Sequence, residues 1–391
     1  MRSTSFPTCS CAHVDPFHAL EMTTWRHARV NDATTRNPAA PPGRSSRRML
    51  RYAQTHRITL RRPRGRKCAN SQNVHSNRAN SVVTSSAETM RSDHARNYLC
   101  DGPFDLALTA APVAWGKGRW PNVDWIGGEL LWAGWEEDEL AVRRVRQCAA
   151  GEPVAIEGSS RPDLDLTWLE AVLGFSQQMP SFTDPVVASL AAAMPGLRPF
   201  ANGSLFDGVI GSIVGQSITV AAAATTERRL AALVHDGLCI KDRQFFPAPR
   251  ASDLARLTAA DVRPTGVTWR RAEAIVAIAR IALEGRFPCE PARASDPSQT
   301  RQLLRSLPLV GPWTAGSALL WGLGMPDIYP SGDVALLRAA KQAYSQTNLT
   351  MKDLDILSTL WAPWRGWASR LLWTHLLGPA PSTGHLTDCE A

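Results

Sequence analysis

Between Leu307 and Val334 the chain reads Leu-Pro-Leu-Val-Gly-Pro-Trp-Thr-Ala, then a helical run, then Tyr329-Pro330-Ser331-Gly332-Asp333-Val334. Gly311 ends a turn, and Pro312 stands where a helix starts, because its fixed φ suits the first helical position and its missing N–H is one the helix would not use. The spacing predicts two helices joined by a tight hairpin at Leu309, Val310 and Gly311, with Thr314 in the first turn of the second helix. Backbone N–H groups at such a helix start, with the positive end of the helix dipole, form an anion site that needs no basic side chain and reads no sequence. Taken alone, the same pentapeptide is also a plain turn between two core helices.

A single carboxylate, Asp333, opens a new helix 22 residues past Gly311. Pro330 and Gly332 lead into it, and Val334-Ala335-Leu336-Leu337 follows at helical spacing. Position alone suits a helix cap. Fourteen tryptophans against four tyrosines make the chain tryptophan-heavy, and four of them, Trp361, Trp364, Trp367 and Trp373, gather in its last helical segment. Trp361 and Trp364 are expected in the core. Upstream, Phe206, Val209, Ile210, Ile213 and Val214 form a helix face that breaks at Gly215-Gln216-Ser217, where glycine can end one helix and serine can cap the next. A further piece, Gly266 to Ala279, turns Ile275, Ile278 and Ala279 to a core and leaves Arg270 and Arg271 to solvent or a phosphate.

Together these segments resemble the helix-hairpin-helix (HhH-GPD) DNA glycosylases, and within them the bacterial 3-methyladenine DNA glycosylase II type, over roughly residues 100–378. The resemblance implies that Asp333 is the essential carboxylate and that Trp313, Trp373 and Ser317 stand around the base pocket. It also implies that Leu309, Val310, Gly311 and Thr314 hold the DNA backbone, while Gln216 and Ser217 lie in the loop that fills the gap left by an extruded base. Leu309 replaces the family's usual second glycine, Ser317 a tyrosine of the bacterial prototype, and Ser217 its apolar wedge. The implied reaction is hydrolysis of the N-glycosidic bond of a damaged base, chiefly an alkylated purine, in duplex DNA. Cleavage builds positive charge on the sugar, which a carboxylate stabilises, and a base inside a duplex must first be flipped out. Deaminated or mismatched bases, or a silent damage-binding protein, are the alternatives. Strand-cutting relatives carry a lysine where this chain has Trp313, and no lysine lies between Lys241 and Lys341, so no strand cleavage is expected.

The same resemblance has a branch with an iron–sulfur cluster, which needs four neighbouring thiolates. Cys9, Cys11, Cys68, Cys100, Cys148, Cys239, Cys289 and Cys389 are too dispersed for that and read as incidental thiols; Cys9-Ser-Cys11 beside His13 lacks the paired spacing of a zinc site. No metal or other cofactor is expected beyond a monovalent cation on hairpin carbonyls. The net charge of +8 is uneven: residues 1–96 hold 17 Lys and Arg against 5 Asp and Glu, leaving 26 against 30 in the rest. Basicity is therefore a property of the tail, which includes Arg61-Arg62-Pro63-Arg64-Gly65-Arg66-Lys67 and reads as disordered. It is a tethering arm, a transit peptide, or sequence upstream of a start at Met90, the last being favoured. Short apolar runs between Pro and Gly over 103–157 predict a small antiparallel sheet. The expected fold is α+β: a tail at 1–96, a β-rich domain at 97–163, a helical domain at 164–378 and a C-terminal tail at 379–391. The expected partner is double-stranded DNA with damaged bases, met by a monomer in the cytoplasm or nucleoid, or in a nucleus or organelle. No apolar run reaches the roughly 18 residues of a membrane-crossing helix, and no membrane partner is expected.

Overall fold

The computed structural model describes residues 95–115, 119–136, 139–159, 161–288 and 297–381. The expectations for the basic tail, Met90 and Cys9-Ser-Cys11 lie outside them. The fold is α+β, with an antiparallel sheet ahead of a helical body. Strands β1 (Arg96–Tyr98), β2 (Val123–Ile126), β3 (Glu129–Glu136), β4 (Glu139–Gln147) and β5 (Val154–Glu157) pair in the order β1-β5-β4-β3-β2. Two short helices, α1 (Leu106–Thr109) and α2 (Ala111–Trp115), lie between β1 and β2.

Leu130, Leu131, Trp132 and Ala133 of β3 are all buried, because both faces of the sheet are covered. On one face Leu130 and Trp132 pack with Trp168 and Leu169 of α3 (Asp165–Leu173); on the other Leu131 and Ala133 meet Phe245. Helix α3, expected on the helical side of the chain, thus shares its core with the sheet. Its first residue, Asp165, is fully buried and accepts from Arg96 Nε at 3.2 Å, Arg143 Nε at 3.4 Å and Tyr98 Oη at 2.9 Å. Removing one partner of such a buried pair costs about 3–5 kcal/mol. Phe245 comes from a small hairpin, β6 (Leu238–Ile240) and β7 (Arg243–Phe245), that sequence patterning did not reveal. Its turn residues Lys241 and Asp242 hold φ of 47° and 60° without the glycine that usually signals such a turn.

The body follows α4 (Pro185–Ala193). Helices α5 (Leu205–Gly215) and α6 (Val220–Ala231) are separated by the break at Gln216, as expected. After α7 (Ala251–Ala255) and α8 (Ala259–Val262) come α9 (Trp269–Leu283) and α10 (Pro297–Leu304), then α11 (Pro312–Leu323), α12 (Val334–Ala343), α13 (Met351–Leu357) and α14 (Arg365–Leu377). Their apolar faces close on one core, to which α5 gives Val209 and Ile213, α9 gives Ile275 and Ile278, and α11 gives Leu319 and Leu320. Helices α5 and α11 cross with their backbones almost touching. A Cβ on Gly208 would stand 2.6 Å from the Ala318 carbonyl, and one on Gly322 would stand 2.6 Å from the Ser204 carbonyl. That crossing sets the end of α5 beside the start of α11. Among the described residues, Cys100 is a free thiol.

Candidate active site

The hairpin between α10 and α11 is held by short backbone bonds: Val310 N–H donates to the Leu307 carbonyl at 3.2 Å and Ala315 N–H to the Gly311 carbonyl at 3.0 Å. Gly311 caps α11 and Pro312 is its first residue. A Cβ on Gly311 would meet nothing within 4 Å, so the hairpin backbone faces open space there. Leu309 sits at φ 61°, in the left-handed region, which accounts for a glycine being usual at this place. The backbone keeps the hairpin shape despite the bulkier residue, at a local cost of roughly 1–2 kcal/mol.

Gln216 caps the end of α5 and turns its side chain into the hairpin, its Nε2 donating to the Leu309 carbonyl and to Thr314 Oγ1, both at 2.9 Å. It ties two helices together and does not project outward. Arg271 Nη2 of α9 donates to the Gln216 carbonyl at 2.5 Å, which brings a third element to the same corner. Arg270 is exposed beside it. Ser217 is exposed at φ 53°, and the apolar groups next to it, Ile218 and Val220, are 39% and 52% exposed.

Asp333 is half-buried at the N-cap of α12 and accepts from Leu336 N–H at 2.8 Å. Gly332, at φ 85°, makes the turn into it, and Tyr329 and Ser331 anchor the approach by donating to Asp355 Oδ1 at 2.8 and 3.1 Å. Burial pushes the Asp333 carboxyl above its usual range. Backbone N–H groups of Leu336 and Ala335, a hydrogen bond from the Trp313 side chain and the charge of Arg119 pull the other way. Desolvation dominates, so the carboxylate is a stronger base than an exposed one. Trp313, from the start of the hairpin helix, thus bears on the Asp333 carboxylate across the 22 residues that separate the hairpin glycine from it.

An aromatic wall stands nearby. Trp321 of α11 stacks on Trp373 of α14, with centroids 5.3 Å apart and planes 24° apart, and lies 5.8 Å from Trp120. The Arg119 guanidinium sits 4.7 Å from the Trp120 ring and 4.9 Å from the Trp321 ring, and that of Arg370 sits 4.6 Å from Trp321. Trp373 is 5% exposed, with its indole N–H unpartnered among the described residues. Arg365 grips Asp327 with two bonds of 2.7 Å and so fixes the start of α14 that carries this wall. Ser317, one turn before Trp321, is only 2% exposed. Trp361 is fully buried and Trp364 partly so.

Arg119, Trp120, Trp321 and Glu227 were not singled out from the sequence. Trp321 could have been found, because it lies four residues after Ser317 on the same helix face. Arg119 and Glu227 carry no local signal. Glu227, on α6, lines a shallow cleft with Trp120, Asn122, Asn202, Asp207 and Gly211. Burial and the nearby Asp207 push its carboxyl up to about 8, against the opposing charge of Arg119.

Residues 210–365 match the family described as HhH-GPD superfamily base excision DNA repair protein. The DNA-3-methyladenine glycosylase of Bacillus subtilis (strain 168) is 26% identical over 191 residues, 49% of this chain and 63% of the relative. The DNA-3-methyladenine glycosylase 2 of Escherichia coli (strain K12) is 30% identical over 198 residues, 50% of this chain and 66% of the relative. The chain thus spans less than two thirds of the length of these relatives. Among solved structures it is similar to the 3-methyladenine DNA-glycosylase from Archaeoglobus fulgidus, with a TM-score of 0.61 and 17% identity over 72% of this chain and 98% of that one. It is also similar to the apo form of the Clostridium acetobutylicum 8-oxoguanine glycosylase/lyase, with a TM-score of 0.55 and 15% identity over 72% of this chain and 99% of that one. These structural likenesses establish the fold.

Proposed function

We propose that this chain, whose residues 210–365 belong to the HhH-GPD superfamily, is a DNA glycosylase that releases damaged purines, alkylated ones foremost, from duplex DNA by hydrolysis. The observation that carries the reading is Asp333, desolvated at a helix start, bonded by the Leu336 N–H and influenced by Trp313 from the hairpin helix. In the reaction the bond between C1′ and the base nitrogen breaks with its electron pair leaving on the base. The cationic sugar forms beside the Asp333 carboxylate, water adds to C1′, and Asp333 takes the proton that water loses. The hairpin backbone at Gly311 holds the DNA phosphate, for which open space and helix-start N–H groups are suited.

Trp313 occupies the place where strand-cutting enzymes need an amine, and the absence of lysine from 242 to 340 supports a product with an abasic site and an intact strand. The fold is shared with a glycosylase/lyase, so this part rests on the residues. Gap filling after base extrusion falls to Ile218, the exposed apolar group of the loop, since Gln216 is committed to the hairpin. The reading assigns the protein to double-stranded DNA as a monomer and needs no cofactor.

The test is release of free bases from methylated duplex DNA by the wild type and by Asp333→Asn, resolved by chromatography. Release by the wild type that collapses in the variant supports the reading. Equal release by both rejects Asp333, and a borohydride-trapped nick in the wild type rejects the hydrolytic product.

A further inference from the structure

Arg119 ties together two parts of the aromatic wall. Its guanidinium lies 4.7 Å from the Trp120 ring and 4.9 Å from the Trp321 ring, and Trp321 in turn stacks on Trp373. Among the described residues its side chain makes no hydrogen bond, and its charge is felt by two carboxyls, Asp333 of α12 and Glu227 of α6. Glu227 sets its carboxyl against the backbone of α5, where a Cβ on Gly211 would lie 3.3 Å from its Oε1. It too makes no hydrogen bond among the described residues. Of the charged groups packed around it, Asp207 of α5 repels a carboxylate and Arg119 attracts one. The next two residues of α6 are turned elsewhere, Arg228 to the Gln244 carbonyl at 2.8 Å and the Phe246 ring, Arg229 to the Thr265 carbonyl at 3.5 Å.

We propose that Arg119 is a positioning residue of the wall and that Glu227 is its proton-operated latch: protonated, Glu227 leaves the guanidinium on the two indoles, and ionised, it draws the guanidinium away. The effect on base release rests on the glycosylase reading, and the movement itself on this cluster of groups. A neutral carboxyl has little hold on a cation that already lies on two π faces. An ionised carboxylate in a desolvated place needs a counter-charge, and a guanidinium fork offers it two parallel N–H bonds. Burial and Asp207 push the Glu227 carboxyl up to about 8, so the wall stays assembled at neutral pH and is released as pH rises through that value. Once Arg119 leaves, Trp321 keeps Arg370 and Trp373 but loses the cation that ties it to Trp120. The face on which an extruded base would lie is then held less firmly.

The experiment follows two signals of the full chain from neutral to alkaline pH, tryptophan emission and single-turnover base release from methylated duplex DNA. It compares the wild type with Glu227→Gln, Arg119→Met and Arg119→Lys. The wild type should show an emission change with its midpoint near 8, and its base release should fall roughly fivefold across that change. Glu227→Gln, which cannot ionise, should lose both transitions. Arg119→Met should lose the emission change and release base slowly at every pH, and Arg119→Lys, which restores a cation, should recover part of both. An emission change or an alkaline fall that persists in Glu227→Gln would overturn the latch, as would wild-type emission that stays level. Full release by Arg119→Met at neutral pH, or wild-type release that stays level through the emission change, would overturn the positioning role. The expected emission changes without base release by any form at any pH would reject the glycosylase reading and leave the latch standing.

Discussion

The hairpin half of the site and the aromatic wall hold their groups by different physics. At the hairpin, position comes from the backbone: a left-handed Leu309, a Gly311 cap, Pro312 at the first helical position and bonds that span three or four residues. In the wall it comes from side chains of separate elements, with Arg119 and Trp120 ahead of β2, Glu227 on α6, Trp321 on α11 and Trp373 on α14. A phosphate is the same at every nucleotide, so main-chain N–H groups suffice to hold it. A base differs from lesion to lesion, and only side chains can distinguish one from another. The consequence is that the wall can be altered without disturbing the hairpin, provided the α5–α11 crossing beneath both is kept.

The sharpest probe of this division is the carboxylate where the halves meet. Asp333→Asn should lower base release by a factor of at least about 10² to 10³. It should leave the fold intact, since asparagine caps a helix as well as aspartate. Stability should rise. Burial raises the folded pKa of Asp333 above its unfolded value, so its contribution is fully present below the unfolded pKa and is lost as pH rises through the folded one. At neutral pH the charge is a cost, and removing it should lift Tm by roughly 1–3 °C in a melting experiment. A fall in Tm would mean that the cap, and not the charge, dominates.

Gly208→Ala attacks the foundation common to both halves. Its Cβ would press on the Ala318 carbonyl, with backbone on both sides and no flexible side chain to yield. We expect a loss of about 3 kcal/mol and a Tm lower by roughly 6–12 °C, with hairpin and wall functions lost together. Loss of one alone would break the comparison.

Gln216→Ala acts on the hairpin half only. It deletes two hydrogen bonds and leaves the Leu309 carbonyl unpaired, at a cost of about 1–2 kcal/mol. Duplex affinity should fall equally for damaged and undamaged DNA, measured by fluorescence anisotropy, while the preference among lesions stays put. A changed preference would show that the hairpin also reads bases.

The smallest effect concerns pH. The acidic limb of single-turnover release should have its midpoint above the ordinary carboxylate range, because Asp333 must be ionised to act. Trp313→Phe removes a bond that favours the ionised form, so its midpoint should move further up. A downward shift would show that Trp313 affects the carboxylate through burial more than through its hydrogen bond.

Much of the hairpin half was legible. Pro312 announces a helix start, Gly311 its cap and Gly332-Asp333 the next one, each because conformational preference acts over a few residues. The break at Gln216 was legible for the same reason, and so were the short apolar strands of the sheet. The destination of the Gln216 side chain was not, because it depends on how closely two glycines let α5 approach α11. Nor was the small β6–β7 hairpin, whose strands are three residues each and whose Lys241-Asp242 turn lacks a glycine.

By itself the sequence determined where helices begin and end, that a tight hairpin precedes a lone carboxylate, and that tryptophan gathers near the last helix. The tertiary structure decided that Arg119 comes to rest against both Trp120 and Trp321, that Glu227 is buried enough to hold its proton near neutral pH, and that Trp313 bears on Asp333. The reason is that a turn or cap is settled by its nearest neighbours in the chain. Desolvation and charge depend instead on every element that closes over a group, however remote in sequence.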